Sequence, residues 1–83
     1  MRWYIKSLLW LIKMVEVFKT SVIEADEGDC LIELLQSQFP NARINFDLQD
    51  CDHILRVEDV QVDALMTQMI LLKSGHTCEL LED

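Results

Sequence analysis

Ala42-Arg43-Ile44-Asn45-Phe46-Asp47-Leu48, with the Gln49-Asp50-Cys51-Asp52 that follows and then His53-Ile54-Leu55-Arg56-Val57-Glu58, decides how this chain folds. Ala42, Ile44, Phe46 and Leu48 alternate with polar residues, the period-2 signature of a strand with one wet face. Residues 49–52 are polar and turn-like. From His53 the strand pattern resumes, which predicts an antiparallel β-hairpin.

Beyond the hairpin, Val62, Leu65, Met66, Met69 and Ile70 recur at helical spacing. This places Met66 and Met69 in the apolar stripe of a helix, as core residues rather than thioether ligands. The helix is expected to stop at Ser74-Gly75, where glycine can take the left-handed conformation. His76-Thr77-Cys78-Glu79-Leu80 then reads as a short last strand with His76, Cys78 and Leu80 on one face. Before the hairpin, Phe39-Pro40-Asn41 ends an earlier helix marked by Cys30, Leu31, Leu34 and Leu35, because proline cannot continue a helix and restrains its predecessor. Asp26 or Asp29 is the expected cap of that helix. Cys30 and Cys78 fall at apolar-periodic positions, where free cysteine acts as a small buried hydrophobe. Val15–Val22 is rich in β-branched residues and predicts an opening strand. The order strand-helix-strand-strand-helix-strand implies an α+β, ferredoxin-like βαββαβ sandwich, with both helices on one face of a four-stranded antiparallel sheet.

Eighty-three residues make one small domain. The three cysteines contain no C-x-x-C pair, which argues against a disulfide framework or zinc knuckle and suits a reducing cytoplasm. Residues 1–13 differ from the remainder. They are apolar, with Arg2, Lys6 and Lys13 and no acid, whereas residues 14–83 hold four basic and fifteen acidic side chains. So acidic a body repels phosphates, and nucleic acid is not an expected partner. The N-terminal extension has three readings: an over-extended start with the true one at Met14, a helix docked on the domain, or a basic amphipathic contact with a membrane or partner. It is too short to span a bilayer.

From Val15 onward the chain resembles the heavy-metal-associated (HMA) domain, the copper-chaperone version of this sandwich. The resemblance rests on element order, the Phe39-Pro40-Asn41-Ala42 junction, the hairpin, and the closing Lys73-Ser74-Gly75-His76-Thr77-Cys78-Glu79-Leu80. The G-M-T-C-x-x-C of that family is absent. With Leu35 aligned to the family's late helix leucine, its two cysteine positions fall on Glu24 and Glu27. The resemblance implies metal handling, but monovalent copper prefers sulfur to carboxylate.

In such a sandwich the acidic loop Glu24-Ala25-Asp26-Glu27, the hairpin turn and Gly75-His76 share one end. Glu24, Glu27, His76 and Cys51 are therefore the candidate ligands for zinc, nickel or cobalt, with copper(I) less suited. Cys51 with His53, and His76 with Cys78, are each two residues apart and would share a face on a strand. Asp47, Asp50 and Asp52 read as solvated charge or as a polar guard on an edge strand. The alternative is a metal-free interaction module that presents its acidic rim or sheet edge to a basic protein partner. No nucleophile with an oriented base and no phosphate-binding loop is visible, so a non-enzymatic role is expected.

Overall fold

The computed structural model describes residues 13–81, so the readings made for residues 1–12 lie outside the described residues. The elements are β1 (Met14–Thr20), α1 (Ala25–Gln38), β2 (Arg43–Asp47), β3 (Ile54–Asp59), α2 (Ala64–Lys73) and β4 (Cys78–Leu81). The strands form one antiparallel sheet in the order β2-β3-β1-β4. This is the ferredoxin-like βαββαβ arrangement anticipated from the hairpin.

The alternation read between Ala42 and Leu48 is realised in burial. Ala42 and Ile44 are buried and Phe46 and Leu48 pack against the core, while Arg43, Asn45 and Asp47 face water. Phe18 on β1 and Leu55 on β3 stand opposite one another at the middle of the sheet, both fully buried. Leu31 and Leu35 of α1 and Leu71 of α2 close over them. Gln36 fastens the turn between α1 and β2 by donating to the carbonyls of Phe39 and Ala42 at 3.0 and 2.8 Å.

Both helices differ in phase from the sequence expectation. In α1 the inward stripe is Gly28, Leu31 and Leu35, and Cys30 is exposed rather than buried. The reason is a close approach. A Cβ on Gly28 would lie 3.4 Å from the Phe46 ring, so the residue without a side chain occupies the contact point and turns Cys30 away. In α2 the inward residues are Thr67 and Leu71, whereas Leu65, Met66 and Met69 are exposed. Thr67 is tolerated in the core because its hydroxyl donates to the Asp63 carbonyl one turn earlier at 2.9 Å. A helix apolar on nearly every side gives no phase signal, and of the stripe expected from the sequence Val62 and Ile70 lie on the core side while Leu65, Met66 and Met69 do not. Among the described residues, no helix is long and apolar enough to cross a membrane.

Candidate functional site

Thr20 and Ser21, at the end of β1, tie together the loops that were expected to share one rim. Toward the hairpin, the Thr20 amide donates to the Asp52 carbonyl at 3.2 Å and its hydroxyl donates to the His53 carbonyl at 2.6 Å. Toward β4, the Ser21 amide donates to the Thr77 carbonyl at 3.3 Å, and the Thr77 amide donates to Ser21 Oγ at 2.9 Å. The common end of the three loops is therefore a hydrogen-bonded feature of the fold. Within it, the candidate residues form two separate groups, because β1 lies between the β3 side and β4.

The first group contains His76. α2 ends in a Schellman turn: the Gly75 amide donates to the Leu72 carbonyl at 3.0 Å and the His76 amide to the Leu71 carbonyl at 2.9 Å, with Gly75 at φ +88°. This turn, rather than a strand, positions His76, so β4 begins only at Cys78. His76 Nδ1 lies 3.2 Å from Ser21 Oγ, and Nε2 lies 3.2 Å from Glu27 Oε2. The three form a closed set when Nε2–H donates to the carboxylate and Nδ1 accepts from the serine hydroxyl. Glu24 has a backbone role. It is the residue that caps α1, in place of the expected Asp26 or Asp29, and its carbonyl accepts from the Gly28 amide at 3.0 Å while its side chain makes no capping bond. Asp26 and Glu27 occupy the first turn, where carboxylates favour the helix dipole. Beside them Cys30, Leu31, Leu34, Ser74 and His76 line a shallow groove.

The second group is the hairpin tip. Asp50, Cys51 and Asp52 each offer a ligand atom, and these atoms lie within 4.8 Å of one another. Among the described residues this is the sole set of three or more histidine, cysteine or acidic side chains that converges in this way. The turn is fixed from within: the Asp52 amide donates to Asp50 Oδ1 at 2.8 Å and the His53 amide to the Asp50 carbonyl at 3.0 Å. Lys19 on β1 approaches Asp52 at 3.7 Å. His53 takes φ +47°, a left-handed conformation uncommon for a residue with a Cβ. This delays β3 to Ile54, so Cys51 and His53 do not share a strand face. His53 Nδ1 is buried without a hydrogen-bond partner.

Cys78 belongs to neither group. It is half-buried at the start of β4, and burial pushes its thiol from 9.0 up to about 11. Of the four residues singled out from the sequence, Glu27 and His76 meet, Cys51 stands at the hairpin tip, and Glu24 caps a helix. Asp50 and Asp52, Cys51's immediate neighbours, read from the sequence as solvated charge or an edge-strand guard, and the structure gathers them around Cys51 instead. The signal available for them was three ligand-bearing residues in succession within a turn.

The class these observations define is a small ferredoxin-like sandwich with oxygen, nitrogen and sulfur donors at its loop end. In comparisons with known proteins, the chain matches no protein-family model, no curated protein and no solved structure.

Proposed function

We propose that this domain is a non-enzymatic metal-handling module whose ion binds at the hairpin tip through Cys51, Asp50 and Asp52. The observation that carries the reading is the convergence of one sulfur and two carboxylate oxygens on a turn already held in shape by its own hydrogen bonds. One thiolate with two carboxylates suits a borderline divalent ion such as zinc, cobalt or nickel, water filling the remaining position, and suits copper(I) poorly. Glu27 and His76 support the reading less. Only two metal-ligating side chains meet there, and they are bonded to one another and to Ser21, whereas three converge at the hairpin tip. The likeness to HMA domains supports metal handling in general, and the site proposed here is displaced from that family's cysteine loop.

Cobalt(II) titration of the reduced protein tests this, because a cobalt–thiolate bond gives a charge-transfer absorption that carboxylates alone do not. The expected result is a saturable band, abolished by Cys51→Ser, weakened several-fold by Asp52→Asn and unchanged by Glu27→Gln. A band that survives Cys51→Ser but is lost in His76→Ala would move the site to the other group. If no band forms and zinc raises the melting temperature no more than magnesium does, metal handling is wrong. The acidic rim would then be read as a surface for a basic protein partner.

A further inference from the structure

α2 has two apolar faces, and the core uses one of them. Thr67 and Leu71 point inward, with Ala64 and Ile70 packed beside them. At about 100° per residue, Leu65, Met69 and Leu72 fall within roughly 60° of one another on the opposite side of the helix. They are 68%, 43% and 60% exposed. Leucine and methionine gathered in one contiguous patch on so small a domain mark a contact surface, since a helix apolar on both sides is normally covered on both.

We propose that residues 1–12 of the same chain dock on this face. Three observations converge on that occupant. The first is where the segment joins the domain. Met14 pairs with Asp59, the residue at which β3 ends before the chain enters α2, so Lys13 sits at the foot of the sheet, the end from which α2 rises. The second is length. The axis of the ten-residue α2 is about 15 Å long, whereas twelve residues reach from about 18 Å if helical to about 40 Å if extended. The third is chemistry. Residues 1–12 offer Trp3, Leu8, Trp10, Leu11 and Ile12, with Arg2 and Lys6 as their charged side chains. The helical layer is of opposite sign: α1 with its capping residue carries Glu24, Asp26, Glu27, Asp29 and Glu33 and no base, and α2 carries Asp63 at its cap against Lys73 alone. Apolar side chains meet an apolar stripe, and basic residues meet an acidic surround.

The sequence supplies its own probe, since Trp3 and Trp10 are the two tryptophans of the chain. In dilute solutions of the 83-residue chain their emission is expected to be blue-shifted, and acrylamide quenching several-fold weaker than for free tryptophan amide. The double change Leu65→Asp/Leu72→Asp should return both readings to the solvent-exposed values while the circular-dichroism spectrum of the sandwich persists. Ile23→Asp, which places a charge at an exposed apolar residue elsewhere, should change neither. The proposal is overturned if the double variant leaves a blue-shifted emission unchanged. It is also overturned if the shift disappears on dilution together with a dimer, which would make a second copy the occupant. Solvent-like emission that turns blue only with phosphatidylserine vesicles would overturn it as well, in favour of a membrane surface.

Discussion

Cys78 and Cys51 show how position alone separates two thiols of one chain. Cys78 is half-buried against the core and its thiol is pushed up to about 11, whereas Cys51 is exposed at the hairpin tip. The thiolate is the reactive form, so iodoacetamide at neutral pH is expected to modify Cys51 and Cys30 well before Cys78, as read by mass spectrometry. A stability effect follows with a definite sign. The folded state holds the Cys78 proton to higher pH than the unfolded chain does, so the contribution is complete below about pH 9 and is lost as pH rises toward about 11. Urea midpoints at about pH 8 and about pH 10.5 should therefore diverge less in Cys78→Ala than in the parent chain. A smaller alkaline loss in the parent than in the variant would contradict the assignment.

At the level of the element, the end of α2 deserves the sharpest test because it sets both a helix stop and the place of His76. Gly75 has φ +88°, and a Cβ there would meet nothing within 4 Å, so a side chain would be resisted by the backbone alone. Gly75→Ala is expected to destabilise the domain by about 1–2 kcal/mol, measured by urea unfolding with an unchanged slope. The His76 ring resonances should shift in the same variant as its hold on Glu27 and Ser21 loosens. A variant as stable as the parent would mean that the turn relaxes without penalty. The same elements show what the sequence could reveal. The hairpin was legible because strict alternation between Ala42 and Leu48 admits one buried face. Gly75 was legible because glycine after an apolar run ends a helix in a known way. The phase of α2 was not, because Ala64-Leu65-Met66-Thr67-Gln68-Met69-Ile70-Leu71-Leu72 offers apolar residues at every angle and the core accepts a threonine. Glu27 and His76 could be placed at one end from topology, whereas the convergence of Asp50 and Asp52 on Cys51 depends on turn hydrogen bonds that composition does not encode.

For the molecule as a whole, a small core leaves little reserve. At roughly 0.05–0.15 kcal/mol per residue, a chain of this length is stable by about 4–12 kcal/mol. Phe18 is fully buried on a central strand, and Phe18→Ala is expected to cost about 3–5 kcal/mol. That is a large part of the total, so the variant should be substantially unfolded or melt far below the parent by circular dichroism. Retention of the parent melting curve would show that Phe18 is not the keystone its burial indicates. The strand order has a consequence for synthesis. β1 is made first, yet its ladders run to β3 and β4, with Met14 opposite Asp59 and Val17 opposite Leu81. A nascent chain therefore carries Phe18 without Leu55 until β3 has been made and without Leu80 until β4 has followed, so this central ring stays partly uncovered through the synthesis of the hairpin and α2.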